Sequence, residues 1–502
     1  MSVPAPEYDE VVIGAGAGGL TAALLLARLG RRVALVEKSG DIGGSLARFH
    51  CRGHEFDSGF HFTGGLQPGG VLSDMLRVLG LREEIRAVPL LERGGQLVHV
   101  ESERRTYELP VGAEAFRRQL HVYFPGERAA VEAYWQRMVG VCQGSPATDL
   151  RALSRGIQIT ADDMITLRQA LDGLTGDATL KALLGLLCMC HGSSPSEISF
   201  ANHSRVALAL HDSTTRIDGG GRALVEAFRR ALRAHGVDVL PGRSVERVRC
   251  SERRRADQLT LSTGEELRFE NVVTTLHPRA ILEGLPAESV TPAFRERVRG
   301  LQPTVGFFAV FAALRGAQEV DWSRTLATLL PSPDVAGLLD PAFDGDGALV
   351  IMGGDPGSGA GGGVLHVLEA TPVGQVAEWR TSSTGCRPES YRAYKERRTR
   401  RILERLDAWR PGFASRIEVV ATASALTFRD YLLSPDGAAY GVRQQVGQIS
   451  VFGRLPVRNM YAAGQSAVLP GLVGTMMSSF AVCRTLVGPE LYDERVERAL
   501  AP

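Results

Sequence analysis

Three glycines near the beginning of the chain are spaced to hold a phosphate-bearing ligand. Gly14, Gly16 and Gly19 match the pattern G-x-G-x-x-G between an apolar strand-like segment and an Ala- and Leu-rich helical segment. In that setting they allow a tight turn, close backbone approach to a pyrophosphate, and close packing of helix on strand. The N–H groups and positive dipole end of the helix N-terminus attract phosphate. The pattern predicts a dinucleotide-binding turn.

Glu37 supplies the carboxylate that accompanies such a turn. It stands eighteen residues after Gly19, where a carboxylate accepts hydrogen bonds from a ribose. Its charge disfavours a 2′-phosphate. A second glycine turn follows at residues 40–45. A simple NAD domain does not need this turn, whereas an extended flavin dinucleotide has more backbone to accommodate, so the pattern favours a flavin.

Further motifs resemble those of one group of flavoproteins. Residues 14–37 followed by Gly43 and Gly44 resemble the FAD-binding opening of the large flavoprotein oxidoreductase superfamily. Residues 56–61 resemble a segment of phytoene desaturases, carotenoid cis-trans isomerases and retinol saturases. Other stretches that resemble this group are residues 190–200, 355–373 and 459–474. The resemblance covers essentially the whole chain.

The resemblance implies that the cofactor is FAD and assigns residues to it. The expected cofactor-binding residues lie in the two glycine turns, beside the acid, in a later strand and in the closing motif: Gly14, Ala15, Gly16, Gly18, Gly19, Glu37, Lys38, Gly43, Gly44, Ser45, Val245, Gly464, Gln465, Leu472 and Val473. The candidate catalytic residues are His61, which could transfer a proton near the flavin, and Tyr440, which could line the substrate cavity. A packed histidine without a catalytic role is an equal alternative for His61.

The expected function is oxidation, reduction or isomerisation of a polyene or isoprenoid lipid of the carotenoid or retinoid type. The chain shows no clear Ser-His-Asp or paired-carboxylate set, and flavin chemistry on an alkene does not require one. A flavin amine oxidase acting on a C–N bond is the first alternative. Gln465 counts against it, because amine oxidases usually carry Glu there. A non-enzymatic lipid-binding escort protein of the same fold is an alternative from another class.

A second formal G-x-G-x-x-G match differs from the first in the segment that comes after it. Gly357, Gly359 and Gly362 precede an alternating, strand-like run at residues 364–368, and Arg380 stands where a ribose-binding acid belongs. The pattern predicts a hairpin loop. Without a second fingerprint, a bound nicotinamide has no evident docking site, so the external electron donor or acceptor stays open.

Composition bounds the remaining possibilities. The 502 residues suggest two to three domains, and 57 Lys+Arg against 56 Asp+Glu exclude the basic field of a nucleic-acid-binding protein. Seven scattered cysteines and an N-terminus without a signal pattern lead us to expect a cytoplasmic, reduced protein. Cys188, Cys190 and His191 follow an apolar run and lack a second ligand pair. We therefore expect buried thiols there and no metal.

Two segments raise the question of membrane contact. Residues 459–483 carry no charge and are long enough to span a bilayer, but glycines, Gln465 and Pro470 interrupt them. They predict a buried strand, turn and helix. Residues 394–405 form a basic helix, usually a solvated face, for which peripheral contact with anionic lipid is the alternative.

The distribution of these elements predicts an α/β protein. A strand, glycine turn, helix and strand open the chain. A similar order of glycine turn, helix and strands begins at residue 219, and a last strand and helix close the chain. We expect a Rossmann-like FAD-binding domain built from discontinuous segments, residues 1–72, 213–283 and 451–502. An α+β substrate domain, residues 73–212 and 284–450, is expected as the insertion, with helices at 165–190 and 391–409 and a strand at 306–311.

Overall fold

The computed structural model describes residues 7–155, 159–250, 254–316, 318–355 and 363–501. The second formal glycine pattern, at Gly357, Gly359 and Gly362, lies outside the described residues. The strands within them are β1 Tyr8–Ile13, β2 Val33–Val36, β3 Arg48–Cys51, β4 His54–Asp57, β5 Ala87–Pro89, β6 Gln96–Val100, β7 Arg105–Glu108, β8 Thr215–Ile217, β9 Asp238–Leu240, β10 Val245–Cys250, β11 Ala256–Leu261, β12 Glu266–Thr274, β13 Gly306–Leu314, β14 Leu326–Leu330, β15 Leu349–Gly353, β16 Val364–Thr371, β17 Ile417–Ala423, β18 Gly453–Arg454 and β19 Met460–Ala462.

Helices connect and cover these strands. Short 3₁₀ turns join several of them. The α-helices of the described residues are α1 Ala17–Arg28, α2 Val71–Leu79, α3 Ala113–Tyr123, α4 Arg128–Cys142, α5 Leu167–Asp172, α6 Ala178–Gly185, α7 Phe200–Ser213, α8 Gly220–Ala234, α9 Pro278–Gly284, α10 Pro292–Gly300, α11 Val335–Leu338, α12 Glu389–Trp409, α13 Ala425–Leu432, α14 Gly471–Val487 and α15 Pro489–Leu500.

The first sheet is built from separated parts of the chain. Its order is β10-β11-β12-β1-β2-β9, with β19 beside β12 and β18 beside β19. β1 lies parallel to both β2 and β12, and β2 lies parallel to β9. β12 pairs with antiparallel β11 through its first residues and with parallel β19 through its last. The α/β fold class is confirmed, with a discontinuous Rossmann-like sheet.

The second sheet carries the inserted part of the molecule. Its order is β17-β13-β16-β15-β14-β6-β7. Neighbouring strands are antiparallel except β14 and β6, which are parallel. The predicted apolar strand at 306–311 is the first part of β13, which lies inside this sheet between β16 and β17.

Side-chain alternation along the inner strands divides the apolar residues between cores. In β1, Val12 packs with α1, whereas Val11 and Ile13 pack on the opposite face of the sheet. In β13, Phe308 faces the core beneath α12, whereas Phe311 faces the core that contains β4. Successive strand residues point to opposite faces, so near-continuous apolar runs are needed where both faces are covered.

The domain boundaries stay a prediction, and packing crosses one of them. Helix α2 spans residues 71–79, so the expected boundary at residue 72 falls inside it. Its Leu72, Met75 and Leu76 are fully buried in the core around α1 and α14. The chain therefore keeps contact with the first sheet beyond residue 72.

The predicted single helix at 165–190 is wrong. The structure has α5, then α6, then a 3₁₀ segment at Leu186–Cys190. Gly173 ends α5, and Asp177 starts α6 by accepting a hydrogen bond from the Leu180 amide at 2.8 Å. The Asp177 side chain caps the free amides at the start of a second helix. The apolar periodicity of the segment therefore does not mark one continuous helix.

The two segments considered for membrane contact have partners inside the protein. Residues 459–483 form β19 and most of α14, as predicted. Among the described residues, none of the helices has the length and apolar character needed to cross a membrane. On α12, Arg398, Arg401 and Arg405 form ion pairs with Glu369, Asp346 and Glu101, respectively. Much of the basic helix is therefore neutralised internally, and lipid contact stays a prediction.

The core between α14 and α15 provides a test of the fold. Phe480 is fully buried against Tyr492. Replacing it with alanine, Phe480→Ala, is expected to destabilise the protein by about 3–5 kcal/mol, because the substitution removes buried contacts and leaves a cavity. Leu491→Ala is the control, since Leu491 is 46% exposed. Urea unfolding followed by circular dichroism measures both, and equal midpoints for the two variants would contradict the packing described.

Candidate functional site

The first glycine turn packs tightly against the protein on one side and borders free space on the other. Gly14 has a φ of +95°, and its amide donates to the Val36 carbonyl at 2.8 Å. A Cβ on Gly19 would lie 1.7 Å from the Gly14 carbonyl oxygen, and one on Gly18 would lie 3.1 Å from Gly464 Cα. A Cβ on Gly16 would meet nothing within 4 Å. Two glycines are therefore needed for packing, and Gly16 borders free space.

Glu37 is fixed at the edge of this turn. Its carboxylate accepts hydrogen bonds from the amides of Ala15 and Ser39, each at 2.7 Å, and the residue is only 9% exposed. A carboxylate oxygen has two lone-pair sites, so each oxygen can accept one more bond. Lys38 follows on the exposed side. The acid is positioned to accept from a ribose without losing its structural bonds.

The second glycine turn contacts the first. Gly43 has a φ of +125°, and its amide donates to the Ala15 carbonyl at 2.8 Å. A Cβ on Gly44 would lie 3.1 Å from Gly16 Cα. Gly44 and Ser45 are exposed, and Ser45 packs against Gly59. The turns form one cradle in which added side chains would fill the space beside Gly16.

The remaining predicted cofactor residues lie around this cradle. Val245 begins β10, two residues after Arg243, whose amide donates to the Glu37 carbonyl at 2.8 Å. The Gly464 amide donates to Ser478 Oγ at 2.8 Å, and the Gln465 side chain donates to the Ala439 carbonyl at 2.9 Å.

Helix α14 brings a second helix N-terminus next to α1. Leu472 and Val473 stand in its first turn and are partly buried. A Cβ on Gly18 would lie 3.2 Å from Thr475 Cγ2 of α14, and Ser479 Oγ donates to the Gly18 carbonyl at 2.8 Å. The open glycine cradle, the adjacent acid and the start of α1 fit the pyrophosphate and ribose of a dinucleotide.

His61 lies beside a buried polar cluster that sequence reasoning missed. Its ring centroid is 4.9 Å from that of His366, a fully buried residue of β16. Asp57, at the end of β4, donates its amide hydrogen to His366 Nε2 at 3.1 Å. Burial lowers the pKa of His61 to about 4 and that of His366 to about 3. Both rings are therefore neutral at physiological pH.

Arg48 of β3 links this cluster to the end of β15 in the second sheet. Its side chain is 4% exposed and pairs with Asp57 at 2.6 Å, with Glu55 at 2.9 Å, and with Asp355. Burial acts to raise the pKa of Asp57, but nearby positive charge, including that of Arg48, outweighs it and lowers that pKa. Arg216 lies 3.8 Å from the other Asp57 carboxylate oxygen. Arg48 therefore binds carboxylates of the protein.

Tyr440 has different neighbours from His61. Its amide donates to Thr304 Oγ1 at 3.0 Å, and its ring lies 6.3 Å from that of Phe307, edge to face. Burial raises the pKa of its hydroxyl. The Gln465 bond to Ala439 ties this segment to the closing motif. Tyr440 is thus placed between the closing motif and β13, and its role stays a prediction.

The region of Cys188 and His191 is buried. Cys188 is a free, buried thiol, and His191 is fully buried with neither ring nitrogen hydrogen-bonded within the described chain. Nearby, His203 contacts the Tyr134 hydroxyl at 2.9 Å. Among the described residues, one group brings three metal-type ligand atoms together, and it consists of Asp57, His61 and His366 instead.

The sequence signal for this group was incomplete. Asp57 and His61 stand four residues apart in a segment already singled out, but His366 lies about three hundred residues away in a strand of otherwise apolar alternation. Nothing in its local pattern separates it from a packed histidine. Only the packing of β4 against β16 of the second sheet brings the three side chains together.

The fold and the cradle define a dinucleotide-binding oxidoreductase, and comparison with known proteins agrees. A family model for flavin containing amine oxidoreductase matches residues 17–352, so the chain belongs to that family. It is an FAD-dependent oxidoreductase.

Individual relatives and solved structures extend this similarity over nearly the whole chain. All-trans-retinol 13,14-reductase of Danio rerio is 24% identical, covering 97% of this chain and 87% of the relative. Hydroxyneurosporene desaturase of Rubrivivax gelatinosus is 27% identical, covering 60% of each. The crystal structure of an oxidoreductase from Methanosarcina mazei superposes with a TM-score of 0.66 at 17% identity, covering 94% of this chain and 99% of that one. This structural likeness supports the fold.

Removal of the Glu37 carboxylate tests the ribose contact. Hydrogen bonds to a charged group contribute about 1.5–3 kcal/mol, so Glu37→Ala is expected to weaken FAD binding roughly ten- to 150-fold. Titration of apoprotein with FAD measures the affinity, and Glu283→Ala, which removes an exposed acid on α9, is the control. Denatured wild-type protein should release free FAD. Unchanged affinity in Glu37→Ala would show that the ribose is held elsewhere.

Two alanine substitutions distinguish the role of a glycine in packing from its role in letting the cofactor approach the backbone. Gly19→Ala places a Cβ on a backbone oxygen and is expected to lower the melting temperature of the apoprotein. Gly16→Ala has free space and an extended backbone with a φ of −75°, so the apoprotein should stay stable while FAD affinity falls by about tenfold or more. Thermal unfolding and FAD titration of both variants give the comparison. If Gly16→Ala binds FAD like the wild type, the pyrophosphate does not approach this residue.

Proposed function

We propose that this protein oxidises, reduces or isomerises a polyene or isoprenoid lipid of the carotenoid or retinoid type, using FAD. The observation that carries the proposal is the similarity over 97% of the chain to a protein named all-trans-retinol 13,14-reductase. The match to hydroxyneurosporene desaturase supports the same substrate class, since both names refer to conjugated isoprenoids. The substrate is therefore proposed to be a hydrophobic small molecule.

The cradle residues are proposed to bind the cofactor. FAD, when bound, exchanges an electron pair with the substrate as hydride. The proposed contacts are made by the two glycine turns, Glu37, Lys38 and Val245, and by Gly464, Gln465, Leu472 and Val473 of the closing motif. The two glycine turns meet beside Gly16, so the backbone leaves the space that a pyrophosphate needs.

Partly buried aromatic side chains near His61 suit an apolar substrate. Phe49, Phe62 and Phe307 pack at the border of the core that contains Phe56 and Phe311. They stay partly exposed, whereas the residues behind them are buried. Contact with an apolar ligand would remove their surface from water, which stabilises binding by about 25 cal/mol per Å².

His61 is the proposed proton-transfer residue, and Tyr440 is proposed to line the substrate cavity. The His61 ring is neutral, so it can accept a proton when a substrate C–H bond breaks. When the substrate is reduced, the His61 ring nitrogen that holds the proton returns it to the substrate. Tyr440 keeps its hydroxyl protonated, because burial raises its pKa. It can therefore contact an alkene or donate a hydrogen bond without carrying charge.

The two redox states of the flavin separate the proposed reactions. Anaerobic oxidised enzyme is mixed with all-trans-retinol or neurosporene, and the experiment is repeated after reduction with dithionite. Desaturation should bleach the oxidised flavin in one turnover, saturation should reoxidise the reduced flavin, and isomerisation should need reduced flavin without consuming it. Product analysis by chromatography accompanies the spectra. If no polyene reacts while putrescine bleaches the flavin, the amine-oxidase alternative holds.

His61 provides the matched substitution for this assay. His61→Ala is expected to slow the observed reaction by roughly 10²–10⁴-fold, the usual contribution of a positioned acid or base. His235→Ala, at the exposed end of α8, is the control. Equal rates in His61→Ala and wild type would favour the alternative in which His61 only packs.

A further inference from the structure

Three buried polar atoms of one cluster have no hydrogen-bond partner among the described residues. They are Asp57 Oδ2, His61 Nδ1 and His366 Nδ1. One carboxylate oxygen of Asp57 and one ring nitrogen of each histidine lie within 4.8 Å of one another. Unpaired buried polar atoms are costly, so three in one place indicate an arrangement that one water molecule or a small side-chain rotation completes.

The protonation of His366 is set by its hydrogen bond. Its Nε2 accepts the Asp57 amide hydrogen and therefore carries no proton. A neutral imidazole has one protonated nitrogen, so the proton of His366 is on Nδ1. That nitrogen is consequently a buried donor without an acceptor among the described residues.

The same bond opposes a metal at this position. Two histidines and a carboxylate form a common metal-binding set, but the ligating nitrogen must lack a proton. A metal on His366 Nδ1 would move the proton to Nε2, which would then face the Asp57 N–H at 3.1 Å, donor against donor. Arg48 and Arg216 add two nearby positive charges.

Asp57 Oδ2 is the unpaired acceptor of this cluster. The other oxygen of this carboxylate is occupied by Arg48 Nε at 2.6 Å. Asp57 is 3% exposed, and Arg216 lies 3.8 Å from Oδ2, outside hydrogen-bonding distance. The cluster thus contains a buried carboxylate oxygen without a hydrogen-bond donor, together with the unpartnered Nδ1 atoms of His366 and His61.

We propose that Asp57 and His366 are positioning residues that hold His61 with its proton on Nδ1 and leave Nε2 free to exchange a proton with the substrate. The inference rests on the proposed function. In desaturation, His61 Nε2 would accept the proton of one substrate C–H bond; bound FAD would supply the two-electron oxidant that removes the neighbouring hydrogen as hydride, so that the C=C bond forms. Asp57 stabilises the resulting imidazolium, and saturation runs these transfers in reverse. An orienting carboxylate serves a catalytic histidine in the same way in serine proteases.

The tautomer of His61 can be measured without a substrate. The FAD-loaded protein is labelled with [¹⁵N]histidine, and long-range ¹H–¹⁵N spectra at pH 7.5 identify the protonated nitrogen of each ring. His61→Ala and His366→Ala spectra assign two of the eleven histidines. We expect both rings to be neutral with the proton on Nδ1. A wild-type His61 protonated on Nε2 would overturn the proposal, even if no variant of Asp57 folds.

Asp57→Asn and Glu55→Gln form the matched pair of variants. Both remove a carboxylate that binds Arg48, but of the two only Asp57 belongs to the cluster with His61 and His366. Asp57→Asn is expected to shift the His61 tautomer and to lower kcat by about 10²–10⁴-fold with little change in KM. Glu55→Gln is expected to change neither by more than a few-fold. Equal losses in both variants would assign the effect to Arg48.

A double variant distinguishes positioning from a separate structural role. If Asp57 acts through His61, Asp57→Asn combined with His61→Ala should be no slower than His61→Ala alone. Multiplied losses would overturn the proposal, as would a stoichiometric, tightly bound metal in the purified protein. If no polyene is turned over at all, the proposed function fails, whereas the tautomer measurement still decides the arrangement of the three residues.

Discussion

The buried charge of Arg48 is the interaction on which the site depends. Its guanidinium joins carboxylates of β4 to Asp355, which follows β15 of the second sheet. Removing one partner of a buried ion pair typically costs about 3–5 kcal/mol, because the other charge stays buried and unpaired. The segment from β4 to His61 is therefore held against the second sheet. Together with the packing of Phe56 on His366, this link keeps Asp57 beside His366.

Close backbone approach is the corresponding constraint at the cofactor end. Gly19 packs on the Gly14 carbonyl, Gly44 packs on Gly16, and Gly18 packs on Gly464. The contact at Gly19 needs a residue without a side chain, and those at Gly44 and Gly18 leave little room for one, so two glycine turns and the closing motif meet at one point. Some of the residues proposed to bind FAD are therefore also needed for packing, as Gly19 is, whereas Gly16 borders free space. This difference makes the contrast between Gly16 and Gly19 informative.

The local sequence pattern predicted the structure correctly where the residue types that suit a dinucleotide also fix the backbone geometry. The strand, turn and helix around Gly14, the Glu37 position and the closing strand and helix were all predicted from spacing and resemblance. The single helix at 165–190 was wrong, because the Asp177 cap competes with apolar periodicity. Val245, Lys38 and Tyr440 occupy defined places, but their roles stay predictions, since geometry alone does not show what they bind.

The sequence by itself determined the class of this protein, because a dinucleotide cradle is specified by glycines and an acid that are close in the chain. It also indicated His61, through a motif of adjacent residues. The tertiary structure alone decided the partners of that histidine. His366 and Arg216 lie on strands far from Asp57 in the sequence. The packing of β16 against β4 and the burial of Arg48 bring them to Asp57. Contacts between residues so far apart depend on the packing of two sheets, which no local pattern encodes.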